Sequence, residues 1–378
     1  MRYTYILFLL TFSLIACDKA EAPFNKNIED RNTIRWSGTH VVDEIFELNE
    51  GKRLVIEPGT TVKFMPGTRI IAFGDVYIEG TENERITLEA VDPIDDHRII
   101  QTKYECKKLY IKHTDVINGL ITSFHTENHF DNVHFTNNLG LEWNFAMARF
   151  WNGSVLIENC TADWNNQGEG ILVHDTYAPI VRNNIFHKLP DAVEYINSED
   201  GEITGNKFYD MNDDAIDQNG CTNTLIQNNE FYRVNDRALE LGSEKFGRSN
   251  NLMVFNNLFV NCKTAINLKE SSHAIVENAT FVGNGSAIEV LSDVDSVGYS
   301  KLEIGSSVFY NINDNKFIVD QLSTLDGKDC LSNTPLPFFN NCLITDFTFV
   351  DPENANFEVV TDQLPEGYTI ENIGYQSE

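Results

Sequence analysis

From Ile157 to Phe309 the chain alternates short runs of apolar and polar positions with polar turns, and the runs recur in register. One motif is Asn-x-Phe, at Asn184-Ile185-Phe186, Asn206-Lys207-Phe208, Asn229-Glu230-Phe231 and Asn257-Leu258-Phe259, with Asn278-Ala279-Thr280-Phe281 as a looser copy. From Phe186 the phenylalanines advance by 22, 23, 28 and 22 residues to Phe208, Phe231, Phe259 and Phe281, so one interval carries an insertion, near Glu244 to Asn250. A second register travels with the first: Gly170-Ile171-Leu172-Val173, Ala192-Val193-Glu194-Tyr195, Ala215-Ile216-Asp217-Gln218, Ala238-Leu239-Glu240-Leu241, Ala265-Ile266-Asn267-Leu268 and Ala287-Ile288-Glu289-Val290. Such alternation over short runs predicts two strands per period rather than solenoid helices, which need longer runs at a period near 3.6 residues. Each strand then stacks on its counterpart one turn away, about 4.8 Å distant, in parallel sheets.

The columns between the strands predict how the turns are held. Asn184, Asn206, Asn229, Asn257 and Asn278 suit a turn where an amide bonds its own backbone and the equivalent amide one rung away. Thr176, Ser198, Cys221 and Ser271 suit small side chains packed inside a bend, and the phenylalanines suit a stack of rings in the core. Upstream, Leu54 to Phe64 and Val76 to Thr81 read as short strands punctuated by Pro-Gly and Gly-Thr turns. Downstream, Phe349-Val350-Asp351-Pro352 and Asn356-Phe357-Glu358-Val359 read as a last strand pair. The organisation expected is a signal over 1–17, a tether over 18–32, an N-terminal cap and opening coils over 33–120, coils over 121–348 and a C-terminal cap over 349–378.

The beginning of the chain adds a location. Arg2 precedes an apolar stretch from Tyr5 to Ala16, too short to span a bilayer as a permanent helix, and Leu14-Ile15-Ala16-Cys17 resembles the bacterial lipobox. That resemblance implies lipidation at Cys17 and an extracytoplasmic, membrane-anchored protein. The formal charge of −29 offers no basic patch to nucleic acid. The six cysteines after Cys17 lack zinc-site spacing. Cys330 and Cys342 suit a disulfide, while Cys106, Cys160, Cys221 and Cys262 fall in strand-like runs and read as buried rung residues.

The repeats, with the segment from Ile56 to Thr81, resemble the pectate-lyase-like superfamily of right-handed parallel β-helix proteins. The resemblance implies an all-β solenoid with terminal caps and a groove over one sheet where a polysaccharide lies. For chemistry it is weaker, because fold does not fix function. The Asp-Pro-His-Asp motif of mannuronan epimerases is missing, whereas Asp213, Asp214 and Asp217 resemble the carboxylate clusters of the hydrolases and the calcium-binding lyases.

Alternation places Glu194, Asp217 and Glu240 outward on successive rungs of one sheet. Carboxylates at that spacing repel by roughly 3.5 kcal/mol at an effective dielectric of about 20. Water, a shared proton, a nearby cation such as Arg237, or bound Ca2+ must offset this. Asp191, Asp213, Asp214 and Asp236 form a second acidic line at the turn, and Asp191, Asp214, Asp217 and Asp236 are the candidate calcium ligands. As a lyase, the protein would set Ca2+ on a uronate carboxylate and use Arg237, Lys188 or Arg233 as base. As a hydrolase it would use two of Asp213, Asp214, Asp217 and Glu240 as acid and base. Glu194, His174, Lys188 and Arg233 are candidate substrate-binding residues. Trp143, Trp151, Trp164, Tyr177 and Tyr209 are candidate sugar-stacking rings, with core packing the competing reading. The alternative to a polysaccharide-binding or polysaccharide-processing protein is a structural or adhesive β-helix, in which the outward acids are ordinary solvated surface.

Overall fold

A computed structural model describes residues 31–92, 97–138, 146–165, 168–292, 298–312, 316–360, 362, 364–365 and 373–376. The signal, Cys17 and most of the tether lie outside the described residues, as do Trp143, Phe145 and the side chain of Trp164. No helix among the described residues is long and apolar enough to cross a membrane.

The chain winds as a parallel β-helix. One coil shows the plan, with strands at Ile180–Arg182, Ile185–His187 and Val193–Ile196. We call the three stacks of such strands faces A, B and C. Face C is a sheet of twelve parallel strands, and faces A and B together make a second parallel sheet. Each coil therefore has three short strands where the repeat predicted two. The extra corner comes from a residue in the left-handed backbone region between faces A and B, namely Asn159, Asn183, Gly205, Asn228, Asn256 and Asn278. Asparagine and glycine tolerate that region best, so the strand bends there and a new one starts.

The asparagine ladder follows directly. The Oδ1 of Asn206 accepts from the backbone N–H of Asn184 at 2.9 Å and from its Nδ2 at 2.9 Å. Asn229 does the same for Asn206, and Asn257 for Asn229. Asn278 is not a rung of this ladder. It takes the bend, and Ala279 takes the ladder position, its N–H donating to Ser307 Oγ at 3.2 Å. A similar slip moves the column of small side chains from Ser271 to Ser272, whose Oγ accepts from Ser249 N–H at 2.8 Å. Inside the coils Phe186, Phe208, Phe231, Phe259, Phe281 and Phe309 stack with centroids 4.8–5.1 Å apart. This column runs through one continuous apolar core.

Cys330 and Cys342 form a disulfide with Cα atoms 4.5 Å apart, and Cys106, Cys160, Cys221 and Cys262 are buried in the core. Burial pushes the thiols of those four up to about 12. The strands Phe349–Asp351 and Asn356–Val359 pair antiparallel. With them, Phe347, Phe349, Phe357 and Tyr375 join Tyr232, Leu258, Val260 and Val308 of face B, and Leu331 of a late rung, in a second apolar cluster.

Candidate binding face

Strand register places the acidic residues on the outer side of face C. Arg149, Leu172, Glu194, Asp217, Glu240, Asn267 and Glu289 occupy one position on successive rungs, as alternation predicts for Glu194, Asp217 and Glu240. Three positions earlier, Glu169, Asp191, Asp214 and Arg237 form a second line, aligned by backbone hydrogen bonds from Gly170 to Asp191, Ala192 to Asp214 and Ala215 to Arg237. It is stitched together by backbone: Asp191 Oδ1 accepts from Asp214 N–H at 3.0 Å, and Asp214 Oδ1 from Arg237 N–H at 2.8 Å. Two positions beyond the first line lie Phe124, Trp151, His174, Ile196 and Asn219.

These acids are not solvated surface. Glu194, Asp214 and Glu240 are only 9%, 6% and 8% exposed. Neighbouring rungs shield them, and the insertion after Gly242 folds back along the face. Its Phe246 rests on Ala146, Leu172 and Ile196 and meets the His174 ring edge-on.

Burial and mutual repulsion govern the protons. Burial, with Glu194 and Asp191 nearby, pushes the Glu169 carboxyl up to about 9. Burial, with Glu240 and Asp191, does the same to Asp214, also to about 9. Asp191 rises to about 7, chiefly by burial. Glu194 and Asp213 are raised and Asp217 is raised strongly, again with burial as the main cause.

The offsetting groups are few. Arg237 Nη1 reaches Asp214 at 3.4 Å and Asp236 at 3.0 Å and also pairs with Glu240, which Lys269 meets from the other side. Asn219 Nδ2 donates to Glu194 at 2.8 Å and to Asp217 at 2.7 Å. The other oxygen of Asp217, Oδ1, is buried without a hydrogen-bond partner, as is Asn267 Oδ1 one rung beyond Glu240. Asp191, Asp213 and Asp214 present carboxylate oxygens within 4.8 Å of one another. Asp236 turns to Arg237 and to Lys263, at 2.5 Å, and neither it nor Asp217 is part of that grouping.

The aromatic line lies beside the acids. Trp151 stacks on Phe124 at 5.1 Å with 8° between planes, carries the Arg149 guanidinium 3.9 Å from its ring centroid, and lies 5.7 Å from the His174 ring. Trp151 is therefore outside the core, on the same face as the carboxylates. His174 Nδ1 lies 2.7 Å from Asp175. Tyr177 is exposed at the following turn.

Two expected members are elsewhere. Arg233 pairs with Asp210 at 2.5 and 3.1 Å, and Lys188 lies at the same corner, its N–H donating to Tyr209 O. Both follow face B strands, and Arg233 is held there by Asp210. Arg237 is present but ill suited to act as a base. Burial works against its charge, yet Glu240, Asp214 and Asp236 together hold its pKa above the ordinary value. Glu169, Arg149, Lys269 and Asn219 also belong to this face, beyond the residues expected from the sequence. Glu169 precedes Gly170 as Asp191 precedes Ala192, a signal open to inspection, whereas Arg149 needs the register of a strand that lacks the repeat motif.

Residues 75–261 and 155–317 match the sequence profile of NosD, a family described as periplasmic copper-binding protein. No curated protein matches the sequence. Among solved structures, the PL6-family alginate lyase AlyGC superposes with a TM-score of 0.61 at 13% identity, covering 92% of this chain and 54% of that one. This chain thus spans about half the length of AlyGC. A second PL6 alginate lyase, solved with a trisaccharide, gives 0.57 at 10% identity, covering 92% and 90%. These likenesses are of fold, that of the right-handed parallel β-helix.

Proposed function

The chain belongs to the NosD family, and from that premise we propose that it is an extracytoplasmic β-helix that binds a polysaccharide along the outer side of face C. The observation that carries this reading is the pairing, on one face, of an outward aromatic line through Phe124, Trp151 and His174 with a carboxylate column through Glu194, Asp217 and Glu240. A sugar ring offers an apolar face to Trp151 and hydroxyls to carboxylates and to Asn219. The polysaccharide neighbours share the fold and support this choice of ligand class without fixing the sugar.

The family description names copper, and the donors on this face do not fit it. The grouping of Asp191, Asp213 and Asp214 is all carboxylate oxygen, and the non-disulfide thiols sit singly in the core. Copper favours imidazole and sulfur, whereas hard oxygen donors suit calcium. We assign Ca2+ as the cation of this face, with Asp191, Asp213 and Asp214 as ligands and Asp217 adjacent. Bound there, it supplies positive charge against the carboxylates and against a uronate.

Hydrolysis is a second reading, favoured by the proton that Asp214 retains at neutral pH beside a Glu240 ion-paired with Arg237 and Lys269. Two carboxyls in contact that share a proton resemble the paired acids that activate a water between them, rather than an acid and base set apart across a glycosidic bond. The test is titration of the full chain with uronate and neutral oligosaccharides, with calcium, beside Trp151→Ala and Asp217→Asn. Losing a stacked ring is expected to weaken binding about tenfold. Unchanged affinity in both variants would overturn the proposal.

A further inference from the structure

A second cleft lies on the outer side of face B, where strand register aligns Asp163, His187, Tyr209 and Tyr232 on successive rungs. Its volume is about 410 Å3, and His134, Thr161, Ala162, Ile185, Asp210 and Arg233 also line it. Its polar groups are held in fixed orientations. His187 Nδ1 lies 2.9 Å from Asp163 Oδ1, and its Nε2 lies 3.6 Å from Asp210 Oδ2. Arg233 grips the same Asp210 through two nitrogens. Tyr209 is fixed by stacking on Tyr232, with centroids 5.2 Å apart and 6° between planes, and Ile185 is 45% exposed. The cleft ends where the C-terminal segment begins: Tyr375 hydroxyl donates to Glu230 at 3.1 Å, and Lys207 pairs with Glu230 at 3.0 Å.

We propose that this cleft is a binding site for a neutral sugar ring, separate from face C and independent of the reading given to it. Both carboxylates of the cleft are already engaged: Asp210 is held by Arg233, and Asp163 and Asp210 face the two ring nitrogens of His187, so neither is left bare to draw a cation, and the guanidinium is not free to draw an anion. What the cleft does offer is planar donors and acceptors around an apolar floor of Tyr209 and Ile185. Small-molecule sites commonly pair an apolar lining with a few oriented polar groups, and a neutral pyranose presents hydroxyls at its rim and an apolar ring face.

The experiment is a calorimetric titration of the full chain with cellohexaose, mannohexaose, xylohexaose and maltohexaose, followed by amide hydrogen exchange with whichever binds. The expected result is binding of at least one, with protection at 185–187, 207–210 and 230–233. His187→Gln and Arg233→Gln should each lower affinity about tenfold, a loss of about 1.4 kcal/mol. Tyr209→Ala should lower it as well, with circular dichroism checking that the coils are intact. Binding of none of the four overturns the proposal. So does protection confined to face C, or affinity unchanged in the folded His187→Gln and Arg233→Gln proteins.

Discussion

Asn229 makes four buried hydrogen bonds through one amide. Its Oδ1 accepts twice from Asn206, and its Nδ2 donates to Ile203 O at 2.9 Å and to Asn257 Oδ1 at 3.0 Å. Asn229→Ala strands the Asn206 N–H in the core and takes one of its donors from the Ile203 carbonyl. A buried group left without a partner costs about 1–3 kcal/mol, so a loss of about 3 kcal/mol is expected in a urea unfolding curve. An exposed turn asparagine such as Asn223 should cost far less. The carboxylates of face C give a second expectation. Glu169 and Asp214 hold protons up to about 9 and Asp191 up to about 7, above ordinary values of 4.5 and 3.8. The folded state therefore binds more protons than the unfolded state between those limits, and stability must fall as pH rises through that window. With a chelator present, the melting temperature should drop from mildly acidic to mildly alkaline pH, and Asp214→Asn should flatten the slope. A melting temperature that rises across the window contradicts the assignment. At this scale the sequence was informative about Glu194, Asp217 and Glu240, because alternation alone gives their direction. Their burial was not legible, since it depends on the rungs above and below and on a loop whose path alternation does not encode.

The elements show the same division. The rung strands were legible because an inward apolar residue every second position has few other uses. The third strand of each coil was missed because its cue is conformational. In Asn183-Asn184, Asn228-Asn229 and Asn256-Asn257 the first asparagine bends the chain and the second joins the ladder. At Asn278-Ala279 only the bend is kept, which is why matching on asparagine alone slips by one residue there. The insertion near Glu244 to Asn250 was visible as a longer interval, but its docking was not. Gly220 makes that docking possible: at φ +69°, an added Cβ would sit 2.6 Å from Phe246 O and 2.8 Å from Asn197 Oδ1. Gly220→Ala is expected to lift the loop from face C at a cost of about 1 kcal/mol or more, because alanine is strained at positive φ. Limited proteolysis after Lys245 or Arg248 should then accelerate while the core strands stay protected. Cleavage no faster than in the wild type would mean that the loop is held by something other than this close approach.

Over the whole molecule, a net charge of −29 coexists with a continuous apolar core and two unlike outer surfaces. The charge is not spread evenly in its consequences. On face B, Asp210 is ion-paired with Arg233, and both Asp163 and Asp210 face the His187 ring. On face C, Glu169, Asp191, Glu194, Asp214, Asp217 and Glu240 share Arg149, Arg237 and Lys269, and the remainder must be met by protons or by a bound cation. The solenoid creates this situation by stacking like residues about 4.8 Å apart, so that a repeat which is harmless in one coil becomes a column of charge in several. Whether that column takes up a cation is read by calcium titration of the full chain by calorimetry at neutral pH, with Asp214→Asn and Asp217→Asn alongside. Saturable binding with proton release is expected, lost or much weakened in both variants while their folds persist. Absence of binding, or binding unaltered by both substitutions, would contradict it.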